Sequence, residues 1–194
     1  IFIPDALKAK LIAAGEEIIS LIKQDNFKEL TKNSIPQQWN VPNETAHPHF
    51  LTFDYGLCKD KNGEVTPMLI EMQGFPSLYG FQSHLAKTYK EEFDLDENLT
   101  PYFNGLDETS YFEILKKVIV GEHQPHQVAL MDIDAPNQKT AIDFFVTAKH
   151  LGIKILGLED ISKEGNQLFY TENGEKIQLK RIYNRLIFDE IGEN

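Results

Sequence analysis

The length and composition of the chain exclude several classes of protein. Its 194 residues are 41% hydrophobic and 25% charged, which is typical of a folded globular protein and unlike a disordered or collagen-like one. A formal net charge of -11 opposes nucleic acids, whose binding needs clustered Lys and Arg, so we expect no nucleic-acid partner. No run reaches the roughly 18 apolar residues of a membrane span, and a signal-peptide pattern is missing at the start. We therefore expect a cytoplasmic protein without a membrane partner.

The first third of the chain predicts helices, a connector and a hairpin. Apolar residues at helical spacing over residues 5–32 predict one amphipathic helix or a helix pair. Residues 33–49 contain several prolines and predict a connector. Residues 50–57 and 65–73 predict paired strands around Asn62-Gly63, because Asn-Gly favours a type I′ turn. The single cysteine, Cys58, lies in a strand-like run directly after the first of these strands, and we expect it to be a small core residue.

The rest of the chain predicts a mixture of helices and buried strands. The predicted elements are helices at 80–92 and 107–120, a strand at 128–134, a helix at 139–152, a strand at 153–160, a hairpin at 168–179, and a strand or strand–helix junction at 180–191. The strand–helix–strand order predicts a parallel βαβ unit. The fold class is therefore α/β, with a helix-flanked antiparallel hairpin region at residues 1–120 and a βαβ-containing lobe at residues 121–194.

Three oxygen-bearing side chains are predicted to meet on one face of the first hairpin. If Asn62-Gly63 forms the centre of the turn, Asp54 lies directly opposite Glu71, and Gln73 lies on the same face two residues further on. Opposed carboxylates repel each other unless a cation neutralises them, and hard oxygen donors of this kind suit Mg²⁺. The sequence therefore predicts a magnesium site on this face.

Two alternatives stay open for this pair of carboxylates. One carboxyl group could take up a proton, with its pKa raised by its neighbour. Acidic residues are also common on exposed strand faces, and a register slip of one residue would move Glu71 to the other side of the sheet. The functional interpretation is favoured because Asp54 and Glu71 interrupt the apolar runs FLTFDY and MLIEMQ, where a purely structural strand gains nothing from a carboxylate.

The segments TFDYG and LIEMQGFPSL resemble the metal-binding part of glutathionylspermidine synthase and related circularly permuted ATP-grasp ligases. The order of the elements that follow is also similar, so the resemblance covers most of residues 50–191. It implies a pre-ATP-grasp-like lobe and the ATP-dependent joining of a carboxylate to an amine through an acyl-phosphate. In this reaction Asp54, Glu71 and Gln73 would hold Mg²⁺, with Gln73 in place of the family's usual Asn.

The resemblance also implies ATP as a cosubstrate and a small molecule or peptide as the substrate. The family carries most of its nucleotide clamp C-terminal to the matched region, so we expect this chain to need a C-terminal half of the same protein for ligation. The alternative function is a non-catalytic binding or regulatory module that keeps the scaffold without ATP chemistry. The sequence assigns no catalytic acid, base or nucleophile.

Three further residues are candidates for substrate contacts. Arg181 and Arg185 of KRIYNR could hold a carboxylate or phosphate bidentately, although arginines in so acidic a protein commonly pair with surface carboxylates. Ser77 lies in the loop GFPSLYGFQ, whose glycines allow close approach of the backbone to a ligand. The alternative for this loop is a strand-to-helix turn filled by aromatic side chains.

Overall fold

The computed structural model describes residues 2–39 and 41–187 of the chain. The chain divides into two compact units, Ile1–Pro76 and Ser77–Asn194, and each contains helices and strands. One antiparallel hairpin sheet, one parallel sheet and a further antiparallel sheet are present, so the predicted α/β class is confirmed. Within the described residues, no helix combines the length and the apolar character that crossing a membrane requires.

The described residues of the first unit form two α-helices, a short 3₁₀ helix at Gln37–Trp39 and one hairpin. The helices are α1, Asp5–Ile22, and α2, Phe27–Thr31, which confirms the predicted helix pair. The hairpin strands are β1, Thr52–Lys59, and β2, Val65–Gln73. Helix α1 lies against the hairpin at Gly15, where an added Cβ would be 3.5 Å from the Phe53 ring and 3.7 Å from the Tyr55 hydroxyl. Because side chains alternate along a strand, Asp54 lies on the opposite face of the sheet from α1.

The turn of this hairpin differs from the predicted one. Asp60 and Glu64 are joined by a backbone hydrogen bond, so the loop between them has three residues, Lys61 to Gly63. Gly63 has a φ of +82°, whereas a type I′ turn requires positive φ at Asn62 as well, and Asn62 does not have it. The side-chain Oδ1 of Asp60 accepts hydrogen bonds from the backbone N–H groups of Asn62, at 2.8 Å, and Glu64, at 2.9 Å. These two bonds favour the longer loop.

A β-bulge in β2 compensates for the longer loop. From the turn outward the strands pair regularly until Tyr55 faces Leu69, but the next pair is Asp54 with Glu71. Ile70 is therefore an extra residue without a partner on β1. The loop shifts the register by one residue and the bulge shifts it back. Asp54 faces Glu71 as predicted, but the three-residue loop and the bulge that together give this pairing were not predicted.

The described residues of the second unit form three α-helices and six β-strands, besides three short 3₁₀ helices. The α-helices and β-strands are α3 (Tyr79–Glu92), α4 (Glu108–Ile119), β3 (Val128–Met131), α5 (Ala141–Leu151), β4 (Lys154–Leu156), β5 (Ser162–Glu164), β6 (Gln167–Glu172), β7 (Glu175–Leu179) and β8 (Arg181–Asn184). Strand β3 pairs in parallel with β4 and β8, which confirms the βαβ unit, and β5, β6 and β7 form an antiparallel sheet. The predicted final element at 180–191 is described only as far as residue 187.

The buried core of the second unit explains where the chain divides. Apolar side chains of α4, β3 and α5 form much of it: Phe112, Leu115, Ile119, Val128, Leu130, Phe144 and Leu151. Helix α3 packs closely on α5 at Gly80, where an added Cβ would be 2.5 Å from the Thr147 hydroxyl. Helices α3 and α4 therefore belong with the strands that follow them. The boundary lies between residues 76 and 77 rather than at the predicted position near 120.

The second hairpin has the turn predicted for an Asn-Gly pair. Glu172 faces Glu175, and the two residues between them, Asn173 and Gly174, have φ values of +52° and +82°. Positive φ at both positions is characteristic of the two-residue type I′ turn. The chain thus contains two Asn-Gly hairpins that are closed by different turns.

We predict that Tyr55→Phe does not destabilise the first unit relative to the wild type. The Tyr55 hydroxyl is buried without a hydrogen-bond partner among the described residues, and burial raises the pKa of this tyrosine. Removing an unsatisfied buried polar group should raise the free energy of unfolding by about 1 kcal/mol, measured by urea denaturation. Tyr89→Phe, at an exposed ring, is the control and should change stability by less than about 0.5 kcal/mol. A clear loss of stability in Tyr55→Phe would contradict the prediction.

Candidate metal site

The structure brings Asp54, Glu71 and Gln73 together on one face of the hairpin. The side-chain Nε2 of Gln73 donates hydrogen bonds to Asp54 Oδ2 at 2.8 Å and to Glu71 Oε1 at 2.7 Å. Asp54 and Gln73 are half-buried, and Glu71 is exposed. The opposition of the two carboxylates follows from the backbone pairing, and the amide joins them from the next position on the same face.

The amide of Gln73 has a different role from the predicted one. Its NH₂ group faces the two carboxylates, so in this arrangement it donates hydrogen bonds and does not present an oxygen to a cation. Among the residues that the structure describes, no group of three or more His, Cys, Asp and Glu side chains is placed to hold a metal ion. The candidate site therefore consists of two carboxylates bridged by one amide.

The surface beside the carboxylates is apolar and open. Met68 and Ile70 are 56% and 70% exposed, and the Ile70 side chain lies over Gly56, where an added Cβ would be 3.7 Å from it. Cys58, two residues beyond Gly56 in β1, is exposed. The expectation of a core cysteine is wrong, because α1 covers the other face of the hairpin.

A second pair of opposed carboxylates in this chain has a different neighbour. Glu172 and Glu175 face each other across the turn of the second hairpin, and Glu172 forms a salt bridge with Lys154 of β4. A lysine thus reduces the repulsion between these two groups. At Asp54 and Glu71 the neutral Gln73 amide takes the corresponding position, so it offsets less of the negative charge.

Of the two arginines predicted to contact substrate, Arg181 begins β8 and Arg185 follows directly after its last residue. They are four residue steps apart, which is about 13 Å in an extended chain. Arg181 donates a hydrogen bond from Nη2 to the Val118 carbonyl at 2.8 Å, in the last turn of α4, where a cation complements the helix dipole. The guanidinium carbon of Arg185 is 5.8 Å from the centre of the Tyr183 ring. The two guanidinium groups thus have different neighbours, and their contact with a substrate stays a prediction.

Ser77 is half-buried, directly before a strained turn that leads into α3. The next residue, Leu78, has a φ of +71°, which is unfavourable for a branched side chain. The Asp143 carboxylate, from α5, accepts hydrogen bonds from the backbone N–H groups of Leu78 at 3.2 Å and Phe81 at 2.9 Å. Asp143 thus caps α3 from another helix and holds the turn after Ser77.

Asp143, which is only 1% exposed, was not among the site residues predicted from the sequence. The available signal was a carboxylate inside the apolar run AIDFFV, the same kind of signal that identified Asp54. Two tyrosines lie near it, the buried Tyr183 and the half-buried Tyr111. Burial raises the pKa of Tyr111 and raises that of Tyr183 to about 12, and the negative charge of Asp143 contributes to both shifts. The Tyr111 hydroxyl also donates to the Tyr79 carbonyl at 2.9 Å in the first turn of α3.

We predict that Asp143→Ala destabilises the second unit by about 1–3 kcal/mol, because two N–H groups at the start of α3 lose their acceptor. Urea denaturation measures the loss, and hydrogen exchange should accelerate first at the amides of Leu78 and Phe81. Glu113→Ala, at an exposed position of α4, is the matched control and should have little effect. Unchanged exchange at these two amides would contradict the role of Asp143.

Comparison with protein-family models, with curated proteins and with solved structures finds no match to this chain.

Proposed function

We propose that Asp54 and Glu71 bind Mg²⁺ and that the chain is part of an ATP-dependent carboxylate–amine ligase resembling glutathionylspermidine synthase, with a cytoplasmic location. The observation that supports the metal most directly is the opposition of two carboxylates that have only a neutral amide between them. The ligase and ATP come from the resemblance of TFDYG and LIEMQGFPSL to that family. The two substrates that are joined are a carboxylate and an amine, and one of them is a small molecule or peptide.

The residues present fit Mg²⁺ through their carboxylates. Magnesium commonly takes one or two protein carboxylates and completes its octahedron with waters and substrate phosphates, and Asp54 and Glu71 supply that number. Gln73 fits as a third ligand only if its amide turns so that Oε1 replaces Nε2. Bound there, Mg²⁺ would supply positive charge against the phosphates of ATP. The half-buried position of Asp54 favours the binding of a cation because solvent screens its charge incompletely.

Calorimetric titration with Mg²⁺ tests the metal site. Glu71→Gln keeps the shape of the side chain and removes its charge, so it should lower the affinity for Mg²⁺ at least about tenfold, which corresponds to about 1.4 kcal/mol. The matched control is Glu175→Gln, which removes one carboxylate from the other opposed pair and should leave the affinity unchanged. Equal affinities of wild type and Glu71→Gln would refute the metal site.

A variant of Gln73 separates the two roles of its amide. Gln73→Met keeps the length of the side chain and removes both donor and acceptor. If the amide turns to ligate Mg²⁺, this variant should bind the ion more weakly. If the amide competes with the ion for the two carboxylates, the variant should bind it more tightly, because nothing else then offsets their repulsion. We expect weaker binding, with the turned amide of Gln73 as the third ligand beside Asp54 and Glu71.

The ATP-dependent reaction needs a separate experiment. Binding of ATP in the presence of Mg²⁺ should be measured in the longest protein that the gene encodes, for wild type and Asp54→Asn. We expect the variant to lose most of the Mg²⁺-dependent part of ATP binding. A protein that binds Mg²⁺ but not ATP would contradict the ligase and retain the metal site.

The second candidate is a non-catalytic binding or regulatory module. The hydrogen bonds from Gln73 favour it, because they give each carboxylate a donor without any cation. On this interpretation Glu71→Gln leaves Mg²⁺ binding unchanged, and Gln73→Met destabilises the hairpin without Mg²⁺ restoring it. The two functions therefore predict different affinities of Glu71→Gln for Mg²⁺.

A further inference from the structure

We infer that the bulge at Ile70 serves the candidate metal site. It places the side chains of Ile70 and Glu71 together opposite Asp54 and so fixes the direction of the Glu71 carboxylate. Ile70 is a positioning residue in this sense, because it acts on the ion through Glu71. The inference rests on the metal site proposed above and adds to it a residue that is not a ligand.

Two consecutive residues of β2 point to one face of the hairpin. Side chains alternate along a regular strand, so Ile70 and Glu71 would lie on opposite faces there. Glu71 shares the Gln73 amide with Asp54, which places it on the Asp54 face. The Ile70 side chain lies over Gly56, which is two residues after Asp54 in β1 and therefore on the same face. The bulge thus brings two side chains of β2 opposite Asp54.

The pairing of the two strands does not require Ile70. It is the one residue of β2 without a partner on β1: Tyr55 faces Leu69 before it, and Asp54 faces Glu71 after it. If Ile70 were deleted, Leu69 and Glu71 would be neighbours in the chain and would alternate as in a regular strand. Each observed pair would remain, and each side chain of the pairs would keep its face.

The hydrogen-bonding direction of the backbone would also remain. The Asp60 N–H donates to the Glu64 carbonyl, so from the turn onward the even-numbered residues of the two strands direct their backbone groups toward each other. On β1 this series includes Asp54, and the corresponding position on β2 is that of Ile70. After the deletion Glu71 would occupy this position, directly opposite Asp54.

The fold gains little from Ile70. Its side chain is 70% exposed, so it buries little apolar area. The extra residue of a bulge is left unpaired, bends its strand and increases the local twist. Bulges are frequent next to active sites, where they re-aim a side chain. Because Glu71 follows Ile70 directly, its carboxylate is the group whose direction the bulge changes.

The direction of Glu71 matters for a magnesium ion. Mg²⁺ demands near-ideal octahedral geometry with oxygens at roughly 2.0–2.1 Å, and a site must hold its groups within about 0.5 Å of the productive geometry. Asp54 and Glu71 differ in length by one methylene, yet their oxygens lie 2.8 and 2.7 Å from one atom, Nε2 of Gln73. The bend at the bulge favours this convergence, because side chains of a regular strand stand roughly perpendicular to the sheet.

Deletion of Ile70 tests the inference. The variant should unfold in urea at the midpoint of the wild type or above it, because no strand pair is lost. It should bind Mg²⁺ at least about tenfold more weakly in calorimetric titration, because Glu71 loses its direction. The matched control is Ile70→Val, which keeps the bulge and an apolar side chain and should bind Mg²⁺ like the wild type. A purely structural bulge would affect the urea midpoint and not the affinity.

The results separate this inference from the metal site itself. Equal affinities of the deletion variant and the wild type would overturn the inference and leave the metal site in place. A lower urea midpoint, or a variant that does not fold, would also overturn it, because the bulge would then support the hairpin. A wild type that binds no Mg²⁺ would refute the metal site and this inference with it.

Ile70→Asp gives an independent measurement at an exposed position. If residue 70 points to the face of Asp54, the added carboxylate joins the other two and should raise the affinity for Mg²⁺ at least about tenfold. The matched control is Leu69→Asp, because Leu69 faces Tyr55 on the opposite face and is 48% exposed. This control should leave the affinity unchanged. Equal affinities of the two variants would contradict the inference.

Discussion

A carboxylate placed inside an apolar segment must find hydrogen-bond donors or a cation, and much of this structure follows from that constraint. With a net charge of -11 the chain has few basic side chains to supply the partners, so amides supply many of them. Asp60 takes two backbone amides in the first turn, and Asp143 takes two at the start of α3. Asp54 and Glu71 share the side-chain amide of Gln73. In the first two cases the carboxylate determines a local backbone conformation.

At the candidate site, hydrogen-bond donors offset less of the negative charge of the carboxylates than they do at Asp60 and Asp143. Asp143 is buried and receives two backbone N–H groups at a helix start, where the helix dipole adds to their effect. The carboxylate pair receives one neutral amide for two charges and remains partly open to solvent. Incomplete compensation is the physical reason for proposing a cation there. The same amide is also the reason for keeping a module without a metal as the second candidate.

In the first hairpin the pairing of Asp54 with Glu71 is as predicted, although the turn from which it was predicted is not the one observed. Asn62-Gly63 predicted a two-residue turn, and the pairing of Asp54 with Glu71 was calculated from it. The structure has a longer loop, because the Asp60 side chain accepts from two amides, and a bulge at Ile70 restores the calculated pair. At Asn173-Gly174 the same reasoning was correct throughout. Turn propensity is a local quantity, and a side chain two residues away is enough to override it.

The sequence by itself determined the helices, the two hairpins, the parallel βαβ unit and the common face of Asp54, Glu71 and Gln73, because these depend on periodicity and on neighbours along the chain. Tertiary structure alone decided which way the Gln73 amide points, that Cys58 is exposed, and that Asp143 holds the turn after Ser77. It also placed the Arg181 guanidinium at the end of α4, on the Val118 carbonyl. These features depend on which segments meet in space, and a bulge or a cap supplied by a distant helix has no periodic signal in the sequence.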